Sequence, residues 1–178
     1  MPLVLPARVS AFDARVDAAV ERWRGNRVTD RVFYTASAAA DHGVLWFVLC
    51  AARAGLGDDA AQFAAVRAAV AELVQSAVVN LGIKALFRRV RPIYEGLRPH
   101  GFRVPRTSSF PSGHASAAFC AAVLLADGTA FGPLLFVLAS VVAFSRIYVK
   151  IHHASDVIGG TVIGLAFGVL VRLLVPLP

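Results

Sequence analysis

The stretch DVIGGTVIGLAFGVLVRLL, residues 156–174, carries charged residues only near its two ends. A run of ~20 predominantly apolar residues is long enough to cross the hydrocarbon core of a bilayer as a helix. Gly160, Gly164 and Gly168 recur at every fourth position, and such a stripe of small residues lets a second helix approach closely. The stretch therefore predicts a membrane helix with a packing face.

The composition extends this prediction to the rest of the chain. Apolar residues make up 57% of the 178 residues and charged residues 16%, against about 45–50% and about 25% in typical globular domains. We predict an all-α fold, a multi-pass transmembrane helical bundle of about five membrane helices. The predicted segments are residues 33–54, 61–87, 112–126, 133–149 and 156–174, of which the third and fourth are short for a full span.

The N-terminal residues predict a different kind of helix. Phe12, Val16 and Val20 recur at helical spacing, with charged residues among them. This pattern is typical of an amphipathic helix on the membrane surface, with its arginines near lipid head groups; a helix packed on the rest of the protein fits equally well. We predict an interfacial helix in residues 1–30 and a transmembrane domain in residues 31–178.

The net charge indicates the class of partner, and the positions of the cysteines indicate whether they form a disulfide. The formal charge is +7, which suits nucleic acid, an anionic membrane surface or an anionic substrate. The high apolar content argues against nucleic acid, so the expected partners are the lipid bilayer and an anionic lipid, and a homo-oligomer is left open. Cys50 and Cys120 lie in apolar segments and are expected to be buried thiols without a disulfide.

Polar residues are concentrated at the ends of four predicted segments. If successive segments reverse direction across the membrane, all four ends lie on the same side and their side chains converge. The residues concerned are Lys84, Arg91, Ser112, His114, Ser145, Arg146, His152 and Asp156. Other polar residues, among them Asp41 and Asn80, lie within the apolar segments and are expected to pair between helices, Asn80 being the best placed to support Lys84.

Three motifs at these ends carry candidate chemistry. KALFRRVRP, residues 84–92, places two cations seven residues apart near a helix end. PSGH, residues 111–114, offers a helix N-cap and a glycine, and free N–H groups at a helix N-terminus bind anions. SRIYVKIHHASD, residues 145–156, supplies a cation, imidazoles and a carboxylate. Each motif alone has an ordinary structural explanation, but together they supply an oxyanion site with acid–base groups.

The three motifs resemble those of the type-2 phosphatidic acid phosphatase family of membrane lipid phosphatases, whose site vanadium haloperoxidases share. The family pattern is Lys-x6-Arg-Pro, then Pro-Ser-Gly-His, then Ser-Arg-x5-His-x3-Asp. The chain matches every position of this pattern, in order, between Lys84 and Asp156. The resemblance covers the helical core and leaves the first thirty residues outside.

The resemblance implies a role for each matching residue. The groups expected to bind the phosphate oxygens are Lys84, Arg91, Ser112, the Gly113 backbone and Arg146. His152 is expected to attack phosphorus and form a phospho-histidine, with Asp156 orienting it. His114 is expected to protonate the leaving oxygen and then to activate water. The resemblance implies no metal and no other cofactor, because the cations are built into the chain.

Helix geometry does not choose between the two adjacent histidines. Asp156 follows His152 by four residues and His153 by three, and both spacings bring side chains together on a helix. The five residues that separate the arginine and the histidine of the family pattern lead from Arg146 to His152. If the stretch is helical, His153 points about 100° away, and its replacement should leave most activity intact.

A loop in residues 93–110 follows the first motif and is expected to lie over the site. It is either a solvated interfacial loop or a pocket wall that recognises a polar head group. The candidate head-group residues are Tyr94, Glu95, Arg98, Arg103 and Arg106.

These observations predict a metal-independent phosphatase that hydrolyses a phosphate ester of a lipid. A composition rich in Ala, Arg and Val is typical of high-GC bacteria, where small family members are associated with polyprenyl-linked cell-wall precursors. Decaprenylphosphoryl-5-phosphoribose is our preferred substrate. Undecaprenyl diphosphate, phosphatidic acid and phosphatidylglycerophosphate are the alternatives, and a vanadium-dependent haloperoxidase or a non-catalytic lipid-binding protein represents another class.

The distribution of positive charge predicts the orientation of the site. On the alternating topology, all eighteen lysines and arginines except Arg53, Arg67 and Arg172 fall on the side of the site. Positive residues favour the cytoplasm. We therefore expect a plasma-membrane protein whose site faces the cytoplasm.

Overall fold

Helices and the turns between them form all of the regular secondary structure in residues 6–94 and 107–178, which are the residues that the structure, a computed structural model, describes. The helices are α1 (Ala7–Glu21), α2 (Arg27–Ala39), α3 (Val44–Leu56), α4 (Asp59–Ala77), α5 (Lys84–Leu86), α6 (Gly113–Ala126), α7 (Gly132–Tyr148) and α8 (Ala154–Leu174). A π-helical segment, Val78–Ile83, joins α4 to α5. The predicted all-α fold is confirmed.

Helix α6 lies at the centre of the bundle, packed against α4, α7 and α8. Apart from His114 and Ser116, its sequence, GHASAAFCAAVLLA, is made of apolar and small residues, which is the pattern of a helix buried on every side. Ala118, Ala121 and Leu124 are fully buried. Cys120 is also buried on this helix, and both it and Cys50 are free thiols, as expected. The candidate motif PSGH therefore begins the most enclosed helix of the described fold.

The glycine stripe of α8 packs directly on the backbone of α6. A Cβ atom at Gly160 would lie 2.3 Å from the carbonyl oxygen of Ser112, and one at Gly164 would lie 2.2 Å from that of Ser116. Contact at this range is possible only without a side chain. The prediction of close helix packing at the stripe is confirmed, and the stripe fixes the start of α6 beside the start of α8.

The first predicted segment, residues 33–54, is not one straight helix. It divides into α2 and α3, which meet at an angle of 60°. The break is the short turn Asp41–Gly43, in which His42 and Gly43 adopt left-handed φ values of 55° and 74°. Because left-handed residues cannot continue a right-handed helix, these two residues redirect the chain. The turn brings Asp41 to the candidate site.

The five predicted membrane segments all correspond to helices, but they differ in their capacity to span a bilayer. Asp59–Leu86 and Ala154–Leu174 are long and apolar enough to span by themselves, and the bent pair α2–α3 passes the same test as one unit. Helices α6 and α7 are shorter apolar helices, in agreement with the expectation for the third and fourth segments. By length and composition, the described residues therefore contain two spans, or three with the bent pair.

The N-terminal helix α1 packs on α7 and α8, so the packed alternative for this helix is the one observed. Val16 and Val20 contact the apolar cluster around Tyr148 and Ile151. On the opposite side, three arginines remain exposed, namely Arg8, Arg15 and Arg22. The domain boundary at residue 30 and the contact of this face with lipid head groups stay predictions.

Candidate active site

A tight turn between α7 and α8 places the candidate nucleophile. The carbonyl oxygen of Arg146 accepts hydrogen bonds from the backbone N–H groups of Ile151 (3.2 Å) and His152 (3.1 Å). Lys150 adopts a left-handed φ of 51°, which reverses the chain. We expected His153 to point about 100° away from His152 if this stretch were helical. The turn is not helical, so that expectation does not apply.

The nucleophile candidate His152 lies against a phosphate-binding candidate. Nε2 of His152 is 3.3 Å from Nη1 of Arg91, and His152 is only 3% exposed. A guanidinium group can only donate hydrogen bonds, so Nε2 accepts this one and carries the lone pair. The proton of the neutral imidazole is then on Nδ1.

The environment keeps the His152 imidazole neutral. Burial is the main cause that lowers the pKa of His152, to about 3, and the positive charges of Arg91 and Arg146 lower it further, while Asp156 raises it. A neutral imidazole at physiological pH has a lone pair available for attack on phosphorus.

Asp156, in the first turn of α8, is fully buried beside His152. Its Oδ2 lies 3.6 Å from Nδ1 of His152, which is longer than a hydrogen bond. The same oxygen accepts from the backbone N–H of His153 (2.8 Å) and from the Ser109 hydroxyl. Oδ1 accepts from Arg89. The carboxylate is thus fixed by three donors and faces the protonated nitrogen of His152.

The neighbouring His153 faces away from this cluster. Its ring Nε2 lies 3.2 Å from the carbonyl oxygen of Val90, and the residue is the N-cap of α8. Its backbone N–H donates to the carboxylate of Asp156, its carbonyl oxygen accepts from the N–H of Asp156 at 3.1 Å, and its side chain accepts from that N–H in the capping box of α8. The two histidines therefore have different surroundings because the turn, and not a helix, carries them.

The start of α6 adjoins both other motifs. Ser112 is the N-cap, and its Oγ accepts from the N–H of Ala115 at 3.4 Å. The N–H of Ser112 donates to the carbonyl oxygen of Asp156 at 3.0 Å. A Cβ atom at Gly113 would lie 3.5 Å from Nζ of Lys84, so the lysine faces the beginning of this helix.

Two residues from the predicted membrane segments support the cations and the second histidine. Asn80 accepts a hydrogen bond from Nζ of Lys84 at 2.8 Å, the supporting contact expected for it. Nε2 of His114 lies 2.8 Å from Oδ1 of Asp41, and the same oxygen lies 3.8 Å from Nη1 of Arg146. Arg146 also donates to the hydroxyl of Ser37 on α2.

The structure thus places around the starts of α6 and α8 the eight residues to which the resemblance gives a role: Lys84, Arg91, Ser112, Gly113, His114, Arg146, His152 and Asp156. Of the predicted head-group residues, Tyr94 is half-buried next to the first motif. The other four, Glu95, Arg98, Arg103 and Arg106, lie outside the described residues.

The sequence interpretation assigned no site role to four residues that the structure brings to the site: Asp13, Asp41, Arg89 and Ser109. Asp41 was expected only to pair between helices. Asp13 does have a sequence signal, because it falls on the stripe of α1 that also holds Val16 and Val20, where a lone acid is unusual. Arg89 gave no signal beyond its place in an arginine-rich motif.

The sequence of this chain is similar to a known protein family and to several known proteins. A family profile described as the PAP2 superfamily matches residues 64–177. Decaprenylphosphoryl-5-phosphoribose phosphatase of Mycobacterium tuberculosis is 38% identical over 89 residues, which are 50% of this chain and 49% of that protein. The Escherichia coli K12 protein named "Putative undecaprenyl-diphosphatase YbjG" is 34% identical over 95 residues, 52% of this chain and 48% of that protein.

The chain therefore spans about half the length of the curated relatives it matches. A solved structure, the PAP2-type phosphatidylglycerolphosphate phosphatase of Bacillus subtilis, superposes with a TM-score of 0.49 at 22% identity. That superposition covers 95% of this chain and 94% of the other.

Proposed function

Because the chain belongs to the PAP2 superfamily, we propose that it is an integral-membrane phosphatase that hydrolyses a phosphate ester of a lipid through a phospho-histidine intermediate. One observation carries the proposal. The Nε2 atom of His152 bears the lone pair and lies 3.3 Å from the guanidinium of Arg91, so the proposed nucleophile and a phosphate-binding cation lie next to each other.

The positive and N–H groups around His152 are suited to bind a phosphate dianion. Lys84 and Arg91 approach from the first motif and Arg146 from the end of α7. The backbone N–H of Gly113 and the hydroxyl of Ser112 stand at the N-terminus of α6, where free N–H groups attract anions. These preorganised donors would stabilise the charge that develops on the transferring phosphoryl group.

The chemical step then takes place in two displacements. Nε2 of His152 attacks phosphorus, the P–N bond forms, and the bond from phosphorus to the ester oxygen breaks. His114 gives its proton to that leaving oxygen and then removes a proton from the water that cleaves the P–N bond. Asp156 stabilises the positive imidazole of His152, and Asp41, 2.8 Å from His114, does the same for the second histidine.

The preferred substrate is decaprenylphosphoryl-5-phosphoribose, a polyprenyl-linked precursor of the cell wall. The similarity to the mycobacterial phosphatase named for this substrate supports the proposal. The similarity to the Escherichia coli protein supports undecaprenyl diphosphate as the alternative.

We place the active site on the cytoplasmic face of the plasma membrane. The support is the excess of lysine and arginine on the side of the site, because positive residues are retained in the cytoplasm.

The deciding experiment is phosphate release by the purified protein from a panel of lipid phosphates. The panel contains decaprenylphosphoryl-5-phosphoribose, undecaprenyl diphosphate, phosphatidic acid and phosphatidylglycerophosphate, with His152→Ala and His114→Ala as controls. We expect the highest kcat/KM on the phosphoribose substrate and loss of activity in both variants. Faster release from undecaprenyl diphosphate would favour the alternative. Unchanged release by the two variants would refute the mechanism.

A further inference from the structure

The N-terminal helix presents a line of acidic side chains to the turn that holds the nucleophile. Asp13, Asp17 and Glu21 follow each other at intervals of four residues on α1, so they lie on one face. Asp17 and Glu21 contact Nζ of Lys150 at 3.5 and 2.9 Å. Asp13 accepts from the backbone N–H and the hydroxyl of Ser155, both at 2.8 Å. All three acids thus contact the segment that flanks His152.

Asp13 differs from the other two acids in its burial and in its second partner. Its side chain is 5% exposed, against 42% for Asp17 and 56% for Glu21. Oδ2 of Asp13 lies 2.5 Å from Nη2 of Arg89, whose own side chain is 7% exposed. A buried ion pair of this kind fixes both partners, because neither can be solvated if it moves away.

Arg89 transmits this contact to the catalytic carboxylate. Its Nη1 donates to Oδ1 of Asp156 and also to the hydroxyl of Ser155 at 2.8 Å. One guanidinium therefore bridges two buried carboxylates. With Oδ1 held in this way, Oδ2 of Asp156 is left facing Nδ1 of His152, 3.6 Å away.

We propose that Asp13 is a positioning residue of the active site, which acts through Arg89 to hold Asp156 in the orientation that His152 requires. The proposal rests on the proposed function for its catalytic consequence. It makes α1, which lies outside the family motifs, part of the catalytic apparatus. Partners that orient a functional group from outside its direct contacts commonly change activity by about 10- to 100-fold in metal sites, and we expect an effect at the lower end here.

The test compares Asp13→Asn with Asp17→Asn in the purified full-length protein. Asp17 is the matched control, since it is on the same face of α1 and contacts the same turn, but it contacts Arg24 and Lys150 and neither Arg89 nor Asp156. With the best substrate of the lipid-phosphate panel, Asp13→Asn should lower kcat about 10-fold and leave KM within about twofold, because phosphate binding is retained. Asp17→Asn should change neither constant.

A second measurement does not depend on turnover. In protein labelled with 15N-histidine, the Nδ1 resonance of His152, assigned from its loss in His152→Gln, should shift in Asp13→Asn and stay in place in Asp17→Asn. If Asp13→Asn does not fold, Arg89→Lys replaces it, because a lysine cannot bridge both carboxylates in the manner of a guanidinium.

The outcomes separate the two proposals. If the wild-type protein hydrolyses no member of the panel, the proposed function fails, and the Nδ1 shift alone decides the role of Asp13. Equal behaviour of the Asp13 and Asp17 variants, in kcat and in the Nδ1 shift, would overturn the positioning role. So would a rise in KM with kcat unchanged.

Discussion

At the scale of single residues, Arg91 connects the first motif to the third. Its guanidinium donates to the carbonyl oxygens of Ile151 (2.9 Å) and Ser108 (3.2 Å) and approaches Nε2 of His152. These contacts hold a cation next to the imidazole. They also assign the lone pair of His152 to Nε2, which is the nitrogen that the proposed mechanism uses.

The two adjacent histidines provide the prediction at this scale. His152→Gln should reduce kcat/KM by at least about 10³-fold, because the proposed mechanism uses the lone pair on Nε2 of His152 for attack on phosphorus. His153→Gln should retain most activity, since the contacts described for the His153 ring are with backbone groups, the carbonyl of Val90 and the N–H of Asp156. Steady-state kinetics with the best lipid phosphate of the panel measures both.

An intermediate trapped by acid quench provides the control for this prediction. A 32P-labelled substrate should label the wild type and His153→Gln on histidine, and it should not label His152→Gln. Label retained in His152→Gln would assign the nucleophile to another residue.

At the scale of elements, the contact of α8 with α6 sets the distance between two motifs. The carbonyl oxygens of Ser112 and Ser116 occupy the space where Gly160 and Gly164 lack side chains. The hydrogen bond from the N–H of Ser112 to the carbonyl oxygen of Asp156 then joins the two helix starts. A membrane helix pair held this closely cannot slide without losing packing, so the N-terminus of α6 and the turn that carries His152 stay in register.

A methyl group in this contact tests its importance. Gly164→Ala would place Cβ 2.2 Å from the carbonyl oxygen of Ser116, so the helices must separate, at a cost of about 1–3 kcal/mol. We expect a lower midpoint of thermal unfolding in detergent and reduced kcat. Gly55→Ala is the matched control, because a Cβ atom there meets nothing within 4 Å. An equal response of the two variants would contradict this account of the stripe.

At the scale of the whole molecule, the two ends of the bundle differ in their charged groups. The three arginines away from the site gather around the end of α6. Arg67 and Arg172 contact the carboxylate of Asp127 at 2.8 and 2.9 Å, and Arg53 donates to the carbonyl oxygen of Asp127 at 2.5 Å. These arginines lie at the C-terminus of α6, where positive groups are favourable. Among the described residues, the opposite end carries the cations of the candidate site, Lys84, Arg91 and Arg146, and several arginines exposed on α1.

The proposed orientation of the molecule in the membrane rests on this asymmetry and can be tested by labelling. In a background with Cys50 and Cys120 replaced by serine, Ala18→Cys on α1 should react with a membrane-impermeant maleimide only after the cells are permeabilised. Ala130→Cys, in the turn between α6 and α7 at the other end, should react in intact cells. The reverse pattern would place the site outside and would favour undecaprenyl diphosphate as substrate.

Much of the fold and of the candidate site could be predicted from local sequence patterns. The apolar segments determine an all-α membrane bundle because a bilayer permits few other structures for them. The glycine stripe determines close packing because only small residues permit it. The motif residues between Lys84 and Asp156 are recognisable by their match to the family pattern, and the ends of alternating helices bring them to one side of the bundle.

Only the tertiary structure decided how these residues are supported. The bend at Asp41–Gly43 directs a carboxylate to His114, and the turn after α7 gives His152 and His153 different surroundings. Arg89 contacts Asp156 from 67 residues away along the chain, and Asp13, 143 residues from Asp156, contacts Arg89. Contacts of this kind depend on which helices become neighbours. The periodicity of a segment indicates which face of the helix is buried, but it does not indicate which other helix packs on that face.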